Sequence, residues 1–273
     1  MKLQDAGPGW LFCPADRPER FAKAAAGADV VILDLEDGVA EADKPAARKA
    51  LRETPLDPER TVVRINAAGT DEHDRDLEAL AETAYTTVML SKTESAAQVA
   101  ALAPLDVIAL IETPRGAVFA TDIAAADGTV ALMWGAEDLV ATLGGSSSRQ
   151  ADGTYRDVAR HVRSTALLAA SAFGRIALDA VHLDIRDIEG LRAEADDAVA
   201  VGFDGTVCIH PTQIPVVREA YRPSEEKLDW ARRVLVAART ERGVFAFEGQ
   251  MVDSPVLKHA KMMLRRAGEV TAD

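Results

Sequence analysis

Eight short apolar runs, rich in β-branched residues, alternate along the 273-residue chain with charged, Ala-rich segments. The runs read as strands at Gly9–Cys13, Asp29–Leu35, Thr61–Ile65, Thr86–Leu90, Asp106–Ile111, Val130–Trp134, Ala177–Leu183 and Thr206–Ile209. Most are continuously apolar rather than alternating, the pattern of parallel strands buried on both faces. Segments between them, such as Arg17–Ala26, Lys44–Arg52, Glu94–Leu102 and Asp187–Ala200, have helical character, and Thr113-Pro114 reads as a cap followed by a first-turn proline. Strict β-then-α order implies a parallel sheet with right-handed crossovers. Eight such units favour closure into a (β/α)8 TIM barrel, an α/β fold that typically takes about 250 residues. A doubly wound open sheet is the alternative.

Only the sixth-to-seventh connection is long. It holds Leu143-Gly-Gly-Ser-Ser-Ser148 and a helical stretch, Tyr155–Phe173, and because the βα pattern resumes beyond it, it reads as an insertion within the barrel and a candidate lid. Residues 1–222 are thus expected to form the catalytic barrel. Residues 223–273 form a helical appendage: a helix over Glu225–Arg242, a turn at Gly243–Asp253 and a last helix opened by Ser254-Pro255.

Composition narrows the partners. Lys plus Arg number 31 against 44 Asp plus Glu, a net charge of −13 that argues against a broad nucleic-acid surface. It leaves room for a small anionic ligand held by local cations. The longest stretch without a charged residue is 13 long (Gly205–Val217), short of the roughly 18–20 needed to cross a bilayer. The first dozen residues show no basic-then-apolar leader pattern, so a cytoplasmic protein is expected. Cys13 and Cys208 each sit in an apolar run; two free buried thiols in a reducing compartment is the reading, a disulfide its alternative.

In a TIM barrel the chemistry sits at the C-terminal ends of the strands. Those ends carry Glu36-Asp37, then Arg64 and Asn66, Lys92, Glu112, Glu137-Asp138 and His210. Six of eight strands ending in such groups points to one polar mouth. Glu112 and Asp138 follow consecutive strands, so their carboxylates should face one another. Two carboxylates without Cys or His at ligand spacing suit a hard cation such as Mg²⁺; they could equally be a pair of helix N-terminal caps. The five histidines fit no zinc pattern, and P-loop, GxGxxG and CxxC motifs are missing.

The same residues carry a family resemblance. Val31-Ile-Leu-Asp-Leu-Glu-Asp-Gly-Val39, Lys44-Pro-Ala-Ala-Arg48, Val63-Arg-Ile-Asn66, Ile111-Glu-Thr-Pro-Arg-Gly116, Gly135-Ala-Glu-Asp-Leu139 and Cys208-Ile-His-Pro-Thr-Gln213 resemble, in order, the HpcH/HpaI aldolase and citrate lyase β-subunit superfamily. Within it the chain most resembles the stand-alone CitE-like branch, which includes citramalyl-CoA and malyl-CoA lyases. The resemblance implies a TIM barrel, usually a homotrimer, that uses Mg²⁺ to cleave or form a carbon–carbon bond beside a CoA thioester. It implies acetyl-CoA and a 2-oxo acid, pyruvate or glyoxylate, as the other partners.

Carried over by motif, Glu112 and Asp138 are metal ligands, Arg64 binds substrate oxygens, and Glu36 supports the metal site or proton transfer. Lys92 is kept, although Leu90-Ser-Lys-Thr93 stands where Pro-Lys-Val is common. Gly249-Gln-Met-Val-Asp-Ser-Pro255 resembles a C-terminal segment whose Asp reaches a neighbouring subunit's site, which assigns Asp253 as the acid for the enolate carbon; a polar residue before a helix N-terminus is its alternative reading. Near the CoA the family often has an Arg-Ser pair where this chain has Pro8-Gly9, while Arg17 and Lys23 keep the pattern of the following helix. Competing expectations are a citrate lyase β subunit acting on a citryl-acyl carrier protein, a CoA-independent pyruvate aldolase, and a binding protein without catalysis. The aldolase would be expected to use a His near the early strands, where this chain has Glu36-Asp37 and its first His is His73.

Overall fold

The computed structural model describes residues 3, 6–241 and 243–269. The described residues up to 218 form one compact unit and those from 219 onward a second. In the first, each strand leads into helix and back. The elements run β1 (Gly9–Pro14), α1 (Phe21–Gly27), β2 (Val30–Asp34), α2 (Lys44–Glu53), β3 (Thr61–Ile65), α3 (Asp71–Leu80), β4 (Thr87–Leu90) and α4 (Ala96–Ala100). They continue with β5 (Asp106–Ile111), α5 (Pro114–Val118), α6 (Ala120–Ala125), β6 (Thr129–Trp134), α7 (Ala136–Thr142), α8 (Asp157–Ala172), β7 (Ile176–Asp179), α9 (Ile188–Val201) and β8 (Gly205–Cys208). All eight strands pair in parallel, and β1 pairs with both β2 and β8, so the sheet closes as a TIM barrel. α10 (Gln213–Tyr221) follows.

The barrel interior is filled by alternate residues of successive strands: Val30 and Ile32, Val62, Met89, Ile108 and Leu110, Ala131 and Met133, Ile176 and Leu178, Val207. This period-two phase decides what lies above the apolar layer. One step further along the inward face come Asp34 on β2, Arg64 on β3 and Glu112 after β5. In-register pairing of Asp34 with Arg64 sets the first two at one level. An apolar floor under a polar mouth follows from strand phase alone.

Several boundaries differ from the sequence reading. The seventh strand stops at Asp179 rather than Leu183, because β6 and β8 pair with it only over Ile176–Asp179; Leu183 is in the following loop, half exposed. The Arg17–Ala26 segment is a 3-10 turn over Pro18–Arg20 before α1, as proline at its start dictates. The Gly/Ser loop carries a bridge between Arg149 and Tyr155, and Ser148, Arg149 and Tyr155 hold it to the barrel side through Glu137, Glu194 and Trp134. Both cysteines are free and buried, and burial pushes Cys13 up to about 11 and Cys208 up to about 12.

The second unit packs α11 (Glu225–Ala237) against α12 (Ser254–Arg266), with a hairpin of β9 (Phe245–Phe247) and β10 (Gln250–Val252) between them. The sequence reading gave that hairpin as a turn, since three-residue strands leave almost no periodicity. Its two-residue loop is Glu248-Gly249, both with positive φ, as a tight hairpin of this type requires. Leu228, Ala231, Val234, Val252, Ala260 and Leu264 form the unit's own core.

Candidate active site

Five of the residues singled out in the sequence meet at the C-terminal mouth of the barrel. Arg64 is the hub. Its Nε and Nη2 donate to Asp34 Oδ1 (2.7 Å) and Oδ2 (2.5 Å), while Nη1 lies 3.1 Å from Glu36 Oε2. The guanidinium stacks over the Phe12 ring at 4.5 Å, so one face is covered as well. Glu36 joins Arg64 to Lys92, whose ammonium pairs with Glu36 Oε1 and stands 3.4 Å from Asp138 Oδ1. Lys92 also donates its backbone N–H to Glu112 Oε1 (2.9 Å). That geometry needs an unusual backbone: Lys92 has φ +50°, a left-handed conformation rare for a side-chain-bearing residue and typical of functional sites.

Burial sets the electrostatics. Glu112 is 3 % exposed and Glu36 5 %. Loss of water, with the Asp138 carboxylate adding to it and Lys92 opposing, pushes Glu112 up to about 8. Arg64 and Lys92 are both held more firmly protonated than usual by the carboxylates around them, against the opposing effect of their burial. Gly135 stands where a Cβ would meet Glu112 Cβ and Oε2 at 2.9 Å, so this glycine leaves the space the carboxylate occupies.

A second layer holds the mouth from behind. Lys44 is buried and donates to the carbonyls of Leu35 (2.8 Å) and Glu36 (3.1 Å) and to Asn66 Oδ1 (2.9 Å). Asn66 in turn donates from N and Nδ2 to Asp76 Oδ2 (2.9 and 2.6 Å), and Asp76 Oδ1 accepts from Arg48 Nε (2.7 Å). Counting Lys44, the mouth sets three cations against five acids, Asp34, Glu36, Asp37, Glu112 and Asp138, so negative charge is in excess even with Glu112 protonated. Among the described residues no three His, Cys, Asp or Glu side chains form a closed metal cage. Two acids at an open mouth, with an excess of negative charge, fit a hard divalent cation that keeps other oxygen ligands.

The other expected residues make different contacts. Glu137 turns its carboxylate to Ser148 Oγ (2.5 Å), and His210 Nδ1 pairs locally with Thr212 Oγ1 (2.8 Å). Arg17 lies just beyond β1, its side chain 54 % exposed and 3.3 Å from Asp16; Lys23 is exposed on α1. Asp253 lies in the second unit, where its carboxylate caps α12 by accepting the Val256 N–H (3.2 Å). The sequence reading missed Asp34, Lys44 and Asp76 as parts of the site. The signal for Asp34 was present: an acid inside an apolar run, two residues beyond an inward-facing isoleucine.

A closed parallel barrel with carboxylates, arginine and lysine grouped at its strand ends has the layout of a TIM-barrel enzyme. Residues 9–211 match the model of the HpcH/HpaI aldolase/citrate lyase family, and the chain belongs to that family. It is 81 % identical, over the full length of both chains, to the citrate lyase subunit beta-like protein of Mycobacterium tuberculosis. It is 31 % identical to the human mitochondrial citramalyl-CoA lyase, over 92 % of this chain and 82 % of that one. The crystal structure of CitE from Mycobacterium tuberculosis in complex with magnesium, acetoacetate and coenzyme A superposes with a TM-score of 0.95 at 82 % identity, covering 98 % of this chain and all of that one.

Proposed function

We propose that the chain cleaves a β-hydroxyacyl-CoA such as citramalyl-CoA or malyl-CoA into acetyl-CoA and a 2-oxo acid, pyruvate or glyoxylate, or runs the same reaction in reverse. The observation that carries this reading is the grouping of Glu112, Asp138, Lys92, Glu36 and Arg64 around one mouth. The magnesium, acetoacetate and coenzyme A bound by the similar CitE protein support it, as does the citramalyl-CoA lyase relative.

Glu112 and Asp138 would hold Mg²⁺, which when bound acidifies a coordinated hydroxyl and polarises the carboxylate beside it. Loss of the hydroxyl proton to a base at the mouth, for which the Glu36 carboxylate is the candidate, lets the carbon–carbon bond break, its electron pair passing into a thioester enolate while the hydroxyl carbon becomes the carbonyl of the 2-oxo acid. Arg64 has five N–H donors; two are hydrogen-bonded to Asp34 and Nη1 is ion-paired with Glu36, which leaves N–H groups on Nη1 and Nη2 for substrate oxygens. We assign these to oxygens that gain charge as the enolate forms. Glu36, with Arg64 on one oxygen and Lys92 on the other, orients both cations.

Arg17 and Lys23, beyond β1, are the candidate contacts of the CoA phosphates. Asp253 of a neighbouring subunit in a homotrimer is the candidate acid that protonates the enolate carbon. The segment around it supports this by its resemblance to lyases of the family.

The test is turnover by the purified chain alone. Citramalyl-CoA and malyl-CoA, each with Mg²⁺ or with excess EDTA, are followed by chromatography of acetyl-CoA. Expected are Mg²⁺-dependent release of acetyl-CoA and its loss, by at least a hundredfold, in Glu112→Gln and Asp138→Asn. Turnover that survives in both variants would refute the metal assignment. Activity on a citryl-acyl carrier protein but on neither CoA ester would replace the reading with that of a citrate lyase β subunit.

A further inference from the structure

We infer that Asp34 is a positioning residue that sets Arg64 and the Glu36 loop together, so that the two move as one unit. The inference rests on the functional reading of Arg64 above. Asp34 is 2 % exposed, at the end of β2, and each of its oxygens accepts two hydrogen bonds. Oδ1 takes Arg64 Nε (2.7 Å) and the Glu36 N–H (2.9 Å). Oδ2 takes Arg64 Nη2 (2.5 Å) and the Gly38 N–H (2.9 Å).

One carboxylate thus joins a side-chain fork from β3 to the backbone turn that carries Glu36. The fork is bidentate, so it fixes the guanidinium plane as well as its distance. With the Phe12 ring on one face, the plane has little freedom left, and the remaining N–H groups are aimed as a consequence. Gly38 supplies the room. A Cβ there would lie 2.2 Å from Asp34 Oδ2, closer than any non-bonded contact, so even alanine would force the carboxylate off the fork. Asparagine at 34 keeps the size but turns one acceptor into an N–H donor facing donors.

This arrangement predicts that Asp34 acts through Arg64. Asp34→Asn and Gly38→Ala should each lower kcat for citramalyl-CoA or malyl-CoA at least thirtyfold, with KM changed less than threefold. Arg64→Lys should lower it comparably, because an ammonium cannot reproduce the fork. In the Arg64→Lys background, adding Asp34→Asn should cost clearly less than it does in the parent chain, because the part that acts through Arg64 is already lost, whereas independent roles would multiply.

A second readout needs neither metal nor substrate. In ¹H–¹⁵N spectra of the arginine side chains, the Arg64 Nε–H signal is assigned by its loss in Arg64→Lys. It should exchange slowly with water in the parent chain and rapidly in Asp34→Asn and in Gly38→Ala, with thermal melts and far-UV circular dichroism showing that the variants are folded. If Asp34→Asn does not fold, Gly38→Ala carries both readouts.

Unchanged exchange at Arg64 in a folded variant overturns the inference whatever the activity. So does a multiplicative double mutant. A damaging Asp34→Asn beside a silent Arg64→Lys overturns it too, and at the same time removes Arg64 from the mechanism. A parent chain that cleaves neither thioester defeats the functional reading alone, and the exchange measurement then decides whether Asp34 holds the fork.

Discussion

Asp76→Ala should destabilise the barrel far more than a typical substitution on α3. The Asp76 carboxylate is fully buried and accepts three hydrogen bonds, from Arg48 Nε, Asn66 N and Asn66 Nδ2. Alanine leaves all three donors without this acceptor, and Arg48 and Asn66 are themselves buried. An orphaned buried donor costs about 1–3 kcal/mol, and breaking one partner of a buried ion pair costs about 3–5 kcal/mol. Arg48 keeps its pairing with Glu72, and Asn66 Nδ2 keeps the Leu35 carbonyl (3.0 Å), so the loss stays at the scale of one broken buried pair rather than that plus three orphaned donors: about 3–5 kcal/mol in all. At about 2–4 °C per kcal/mol for a domain of this size, Tm should fall by about 6–20 °C. Urea unfolding followed by far-UV circular dichroism measures the loss, with the slope m unchanged if only the native state is affected. Asn66 and Lys44 hold the carbonyls next to Glu36, so kcat should fall at least tenfold even at temperatures where the variant is folded. A stability loss below about 1 kcal/mol would show that the buried network is not what holds the mouth.

Two other outcomes are expected. His182 Nδ1 pairs with Glu194 Oε2 at 2.9 Å, and this bond raises the imidazole above its ordinary value. Its contribution to stability is therefore complete below about pH 6.5 and is lost as pH rises through the raised folded-state value. The stability gap between the parent chain and His182→Gln, on the order of 1 kcal/mol at pH 6, should shrink by pH 9; a gap that widens would contradict the pairing. If Asp253 serves a neighbouring subunit, inactive Asp253→Ala and Glu112→Ala chains should recover activity when co-expressed, since a mixed interface can assemble one intact site. Mixed oligomers that stay inactive would remove Asp253 from the neighbour's site.

The architecture was legible in the amino-acid pattern. Eight apolar runs separated by helical segments leave few alternatives to a closed parallel barrel, because strands buried on both faces must be covered by helices and an eightfold βα repeat closes on itself. That pattern also marked the polar strand ends: Glu36, Arg64, Lys92, Glu112 and Asp138 stand where apolar runs stop, and the structure brings them together. What tertiary structure alone decided is how those ends are joined. Asp34 and Arg64 are 30 positions apart, and Lys92 and Glu36 56 apart. No local periodicity says which of them pair, since partners across the barrel depend on strand register and on which phase of each strand faces inward. That phase separated Asp34, which points to the mouth, from Leu35 beside it, which packs in the core. The same holds for Glu137, which the sequence placed at the mouth and the fold turned away. Glu137 is next to Asp138 in the chain, but one residue of α7 is about 100° of turn, enough to send one carboxylate to Lys92 and the other to Ser148. Asp253, read as an acid by its motif, has in its own chain the N-cap geometry that any Asp before Ser-Pro can adopt. Strand content is a property of short windows, whereas side-chain partnership is fixed only when closure of the barrel sets the distances between strands far apart in the chain.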